Sequence, residues 1–282
     1  MAQRSVKARV GDHPTLRRCL IGAVALVALL LIAAPLLAIL SYALAEGPGR
    51  FFESLAAPDT LHAIKLSVLT ALIAVPVNTL FGIAAAWAIA KFDFPGRRLL
   101  VAVIELPYSI SPIVAGVAYL FVYGAQGLFG PWLQANDIKI MFALPGIILA
   151  SLFVTAPFVA RELIPLLETQ GREREEASIS LGASGFQTFW RISLPGMRWA
   201  LLYGIILCNA RVFGEFGAVS IVSGNVRGET NTLPLHVELL YQDHNSVAAF
   251  AAASVLMLIA VLTLIAKFLL ERHGVRRHAE SA

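Results

Sequence analysis

The chain has 282 residues, of which 58% are hydrophobic and 14% charged. An ordinary soluble domain carries roughly half apolar and about a quarter charged residues, so this composition excludes that class and points to an integral membrane protein. The formal net charge of +4 does not imply a nucleic-acid partner, because the basic residues fall in clusters between apolar runs and not along one soluble face.

Residues 1–18 carry Arg4, Lys7, Arg9, Arg17 and Arg18 without an apolar period and read as a basic arm. Residues 19–43 form the first apolar run. Ala43-Leu44-Ala45 behind a basic leader has the look of a cleavage site, but the apolar region of a signal peptide is about 7–15 residues long. This run exceeds the ~20 residues needed to cross ~30 Å of hydrocarbon, and it is read as a retained span. Residues 46–60, with Gly47-Pro48-Gly49, form a loop. Span two covers about 64–90 and includes Pro76 and Asn78; a basic turn follows at 91–98. Span three, about 99–123, contains Pro107, Ser109, Ser111 and Pro112. These prolines interrupt helical bonding and the serines offer hydroxyls, which suits either a simple kink or a stretch lining a polar pathway.

A polar loop at 124–139 precedes span four, about 141–163, and a polar island then fills about 164–198. Within it Glu175, Glu176, Ala177 and Leu181 favour a helix, and Gly182 can adopt the left-handed conformation that ends one. Ser184 and Gln187 have the spacing of a capping box that opens a second helix, and Leu194-Pro195 is expected to end the hairpin and set the angle into span five. Such a hairpin either merely joins two spans or is gripped by something outside the bilayer. Span five, about 199–222, contains Arg211 and Glu215 one turn apart, which can neutralise each other or face a cavity, or do both. In the following loop Thr232 stands as N-cap with Pro234 in the first turn, so a short helix to about Gln242 is expected. Span six covers about 247–270, and a basic tail occupies 271–282.

An even number of spans puts both termini on one side. The arm, the 91–98 turn, the island (with Arg161 assigned to it) and the end of the chain together hold about 17 of the 22 Lys and Arg residues. The positive-inside rule therefore makes the termini and the island cytoplasmic.

No phosphate-binding loop is present, since none of the five lysines follows a glycine. The six histidines form no His-Glu-x-x-His pair, and Cys19 and Cys208 lack partners at metal or redox spacing. No nucleophile elbow or other catalytic constellation is visible, so an enzyme is disfavoured and no bound cofactor is expected. Uphill transport would need energy from another chain or from an ion gradient.

The order Glu176-Ala177-Ser178, Gly182, Ile192, Leu194-Pro195 resembles the EAA loop of permease subunits of bacterial ATP-binding-cassette importers. The family pattern is Glu-Ala-Ala, a Gly six positions after the Glu, and Ile-x-Leu-Pro beginning ten positions after the Gly. Every spacing is kept, and the chain departs only at Ser178, where the family usually has Ala. The resemblance implies an all-α, six-span permease domain (about 19–270), with the hairpin as a coupling helix that docks on an ATPase. Glu176, Ala177, Ser178, Gly182, Leu194 and Pro195 are the coupling residues so implied, with Glu176 meeting an Arg of the ATPase and Gly182 making the bend.

Residues 211–243, with Arg211, Gly214-Glu215-Phe216-Gly217-Ala218 and Gly228-Glu229-Thr230 through Leu233-Pro234-Leu235, resemble the oxyanion branch of that family, which handles sulfate, thiosulfate and molybdate, and within it the W-type permease of sulfate/thiosulfate importers. The implied partners are an ATP-binding subunit dimer that holds the ATP, a second related permease, a periplasmic sulfate-binding protein and the lipid of a bacterial inner membrane, with Arg211, Glu215, Ser109 and Ser111 as pathway candidates. The alternatives are a molybdate permease and, from another class, a secondary transporter needing no ATPase; acidic residues in several spans or an inverted repeat would favour the latter.

Overall fold

The computed structural model describes residues 14–280; most of the expected basic arm and the last two residues of the expected tail lie outside the described residues. Helices and their connections make up everything described, with no strand among the described residues. Four helices are long and apolar enough to cross a membrane: α1 (Pro14–Ala43), α3 (Pro58–Lys91), α7 (Leu144–Gln170) and α13 (Ser246–Glu280). Two bent helix pairs bring the candidate crossings to six, counting each pair as one broken span. One is α4 (Arg97–Ser109) with α5 (Pro112–Tyr123), bent by 108°, and the other is α10 (Leu194–Phe213) with α11 (Gly217–Ser223), bent by 51°. Short helices α2 (Pro48–Ala56), α6 (Gly130–Ala135), α8 (Glu173–Ser180), α9 (Gly185–Thr188) and α12 (Leu233–Gln242) occupy the connections. The segments expected as plain loops at 46–60 and 124–139 thus each contain a helix, opened by Pro48 and Pro131 in the first turn, where a missing N–H costs nothing.

Span three is therefore not one helix. Proline disfavours helical geometry in the residue before it, and Ser111 is extended (φ −58°, ψ 131°) immediately ahead of Pro112. Span five breaks as well, which its sequence did not announce. The Glu215 carboxylate accepts the Ala218 N–H at 2.9 Å and so caps the first turn of α11. The two second halves, α5 and α11, pack on each other, with Gly217 against Pro112 and Ile113. The α5–α11 contact covers one side of each break, while Ser109, Ser111, Gly214 and Phe216 remain exposed there.

At the centre α3, α7 and α10 pack together around Ala71, Ala74, Ala86, Val159, Leu163, Met197 and Cys208. Small residues let the backbones approach: a Cβ on Gly82 of α3 would lie 2.6 Å from Val159 Cβ of α7. Asn78 fixes the register of the same pair, donating from Nδ2 to the Leu152 carbonyl (3.1 Å) and to Thr155 Oγ1 (2.7 Å). α1 lies outermost against α13, with Tyr42 stacked on Phe250 at 5.0 Å, and its apolar window is exposed along its length.

The helix expected after Thr232 is α12. Thr232 does hold the N-cap position, but its hydroxyl is buried without a partner. Ser67 of α3 has taken over, accepting the Leu233 N–H at 2.8 Å, so α12 is capped by a neighbouring span and not by its own sequence. His236 is buried beside Thr60, with Nε2 and Oγ1 3.0 Å apart, and an Arg227–Asp243 ion pair closes the segment. Burial holds the His236 ring below the ordinary histidine pKa, with Asp59 opposing and Arg227 reinforcing the shift.

Two outcomes are expected. Gly82→Val overpacks the α3–α7 contact by about 1–3 kcal/mol, read as a lower Tm of the detergent-solubilised protein. For His236, the neutral ring is the folded form, so its contribution is complete above the ordinary pKa of about 6.5 and is lost as pH falls below it. Amide exchange over 230–240, corrected for the intrinsic rate, should rise between pH 7 and pH 5, and His236→Gln should flatten that dependence.

Candidate functional site

The hairpin between α7 and α10 begins with α8, which carries Glu173, Glu175 and Glu176 in its first turn, where the helix dipole favours negative charge. It ends in a Schellman motif: the Ala183 N–H bonds to the Ser178 carbonyl (3.1 Å), the Gly182 N–H to the Ile179 carbonyl (2.9 Å), and Gly182 takes φ +91°. Ser184 then opens α9 with a full capping box, its Oγ accepting the Gln187 N–H (3.3 Å) while its own N–H donates to Gln187 Oε1 (3.0 Å). Across the bend, Ser178 Oγ lies 3.1 Å from Thr188 Oγ1, both buried. The one departure from the EAA pattern thus contributes a hydroxyl that joins the two arms.

Leu194-Pro195 does not end the hairpin. α9 runs through a π-helical turn, Phe189–Ser193, directly into α10, with Leu194 N–H bonded to the Phe189 carbonyl. Pro195 has no N–H to give and its ring crowds the preceding turn; the wider π turn relieves that crowding and leaves the helix unbroken from Gly185 to Phe213.

Of the two adjacent glutamates, Glu175 faces inward. Lys91, at the end of α3, is buried and donates to the Gly171 carbonyl and to Glu175 Oε2 (3.1 Å). Ser193 donates to Glu175 Oε1 at 3.0 Å. One carboxylate therefore joins α3, α8 and the start of α10. Arg97–Glu168 and Arg172–Asp93 add exposed ion pairs around this tie, each worth about 1 kcal/mol or less. Aromatic packing completes the anchorage, Trp87 of α3 meeting Phe189 edge-on at 5.3 Å.

Glu176 and Ala177 point outward and are exposed. Around them the hairpin presents large apolar side chains: Leu181 is 89% exposed, Phe186 74%, Ile179 57% and Trp190 53%. Apolar side chains this exposed on an otherwise charged surface mark an interaction face. In the sequence Ile179, Leu181, Phe186 and Trp190 stand among the large apolar residues of the island, without a mark that separates them from those that are buried. Lys91 offered no such mark either, standing as one more cation in a basic turn.

Arg211 and Glu215 do meet, with Nη1 and Oε2 2.7 Å apart, although the guanidinium N–H groups are not aligned for a hydrogen bond. Glu215 is 2% exposed, while Arg211 is half-buried at the edge of the bundle. Ser109 and Ser111 lie exposed at the other break. Because Gly217 seats against Pro112, the structure brings the two breaks together, although they are a hundred residues apart in sequence.

Removing one partner of a buried pair leaves a desolvated charge. Lys91→Met should lower stability by about 3 kcal/mol, read by thermal unfolding, whereas Glu176→Gln, at an exposed site, should change it by about 0.5 kcal/mol or less. Lys91→Met combined with Glu175→Gln should recover part of the loss.

Residues 78–274 match the family model described as "Binding-protein-dependent transport system inner membrane component". The sulfate transport system permease protein CysW of Escherichia coli (strain K12) is 51% identical over 252 residues, covering 89% of this chain and 87% of that protein. CysW of Synechococcus elongatus is 48% identical, covering 96% and 94%. The E. coli permease protein CysT is 36% identical, covering 76% and 78%. Among solved structures, a bacterial ABC transporter involved in the import of the acidic polysaccharide alginate superposes with a TM-score of 0.75 at 15% identity, covering 91% of this chain and 95% of that one.

Proposed function

Since the chain belongs to the family of inner-membrane components of binding-protein-dependent transport systems, we propose that it is a transmembrane permease subunit of an ATP-driven sulfate importer. The observation that carries the reading is the rigid hairpin: it keeps the EAA spacing, exposes Glu176 and the apolar residues beside it, and is tied to the bundle through Lys91. The relatives named for sulfate transport supply the substrate, with thiosulfate in the same chemical class.

The subunit pairs with a related permease around a shared pathway, as the likeness to both CysW and CysT suggests. Each permease lays its hairpin on one of two ATPase subunits, which hold the ATP; a periplasmic binding protein delivers the anion to the opposite face. The clustering of Lys and Arg supports a bacterial inner-membrane placement with hairpin and termini cytoplasmic. In this arrangement Leu181 and Phe186 enter an apolar cleft, and Glu176 meets a cation at its edge. Closure of the ATPases on ATP pushes α8; the Glu175–Lys91 tie passes the push to α3, and the π turn passes it to α10, so that the bundle swings as a body between inward- and outward-facing states. The chain itself performs no chemistry.

The test is ATP-dependent uptake of labelled sulfate by proteoliposomes holding the assembled complex and its binding protein. The expected result is saturable uptake that Glu176→Lys lowers at least tenfold in a complex that still assembles. Uptake without an ATPase would favour a secondary transporter, and strong preference for molybdate as competitor would move the substrate within the oxyanion class.

A further inference from the structure

Arg161 was grouped above with the cations of the hairpin, but it stands inside a span. It precedes the end of α7 by nine residues, about 14 Å along a helix about 40 Å long, within the part that ~30 Å of hydrocarbon covers. A cation at that depth is costly unless it faces a cavity or a partner. The ion pairs among the described residues do not include Arg161. Its guanidinium lies 4.6 Å from the ring centre of Tyr108, on the arm of the broken span just ahead of the break, and that ring steadies it by cation–π attraction. Both side chains line a cavity of about 550 Å³ between α4, α7 and α10, on the hairpin side of the two breaks.

We propose that Arg161, held by Tyr108, is an intramembrane station for the tetrahedral dianion on the inner half of the pathway. The proposal rests on the reading of the chain as an oxyanion permease subunit. Glu105 and Glu162 line the same cavity. The two carboxylates oppose the attraction of the guanidinium, so an anion that meets Arg161 is not held there, and a translocation site has to release what it admits. Guanidinium suits the task because its fork of N–H donors matches two oxygens of a tetrahedral anion. Pro165, one turn on, has no N–H to give the Arg161 carbonyl, which leaves that oxygen as an acceptor at the station itself.

The experiment uses the complex reconstituted with its binding protein, in a Cys19→Ser background, since Cys19 is exposed and Cys208 buried. Arg161→Cys should lower sulfate uptake at least tenfold. Modification with the cationic reagent 2-aminoethyl methanethiosulfonate should restore at least a third of it, and the anionic 2-sulfonatoethyl reagent should restore none. Sulfate on the ATPase side should slow the cationic modification at least twofold relative to chloride of equal ionic strength. As a second route, Arg161→Lys should keep uptake within about threefold of the parent while Arg161→Gln does not. Equal effects of the two reagents, or full uptake in Arg161→Gln, would overturn the station. A modification rate indifferent to sulfate would overturn it in favour of an ion pair with the partner permease. Absence of sulfate uptake by the parent complex would overturn the functional reading itself, and this one with it.

Discussion

Hydrocarbon offers no hydrogen bonds, and the structure follows from that lack. Backbone N–H and C=O groups facing lipid have to be satisfied within the protein, which restricts crossings to helices and closed barrels, and the described residues use helices. Proline and glycine are admitted where something else covers the damage. The two broken crossings, α4/α5 and α10/α11, cover each other: α5 lies on α11, Gly217 meets Pro112, and Glu215 supplies the acceptor that the first turn of α11 would otherwise lack. Water provides no hydrophobic drive between helices inside lipid, so the central bundle instead relies on close approach at Gly82 and on the Asn78 amide.

At the end of the bundle that carries the hairpin the problem is reversed, because a polar, structured element has to be fixed to the apolar spans. The structure answers with one buried charge pair. Glu175 turns inward to Lys91 and Ser193, and its neighbour Glu176 is left outward beside Leu181 and Phe186. Adjacent carboxylates one residue apart are thus used differently: one holds the hairpin to the spans and the other stays exposed on the surface. That division depends on helix periodicity, since neighbours on a helix point about 100° apart.

Much of this was legible beforehand. Apolar run length and the Lys/Arg clusters gave the crossings, the acidic first turn with Gly182 gave α8 and its end, and Ser184 with Gln187 gave the capping box, because each of these rests on local chemistry. What escaped depends on contacts distant in sequence. Nothing near Thr232 says that Ser67 will cap α12, and nothing near Gly214 says that α5 will receive α11. Pro195 read as a stop because prolines usually are; the π turn before it, a backbone adjustment without a compositional signature, let the helix continue. Lys91 and Arg161 were each counted as topological charge, since a sum over loops does not see burial or depth.

The uninterrupted run from Gly185 to Phe213 has a mechanical consequence. It makes the second arm of the hairpin and most of span five a single rod about 43 Å long, so a tilt of about 5° at the hairpin carries the far end sideways by about 4 Å. That far end is the joint at 214–216, where the chain bends by 51° and α11 is held separately against α5. A stiff rod ending in a joint delivers displacement to one place. Motion imposed at the hairpin would therefore be largest where the two broken helices meet.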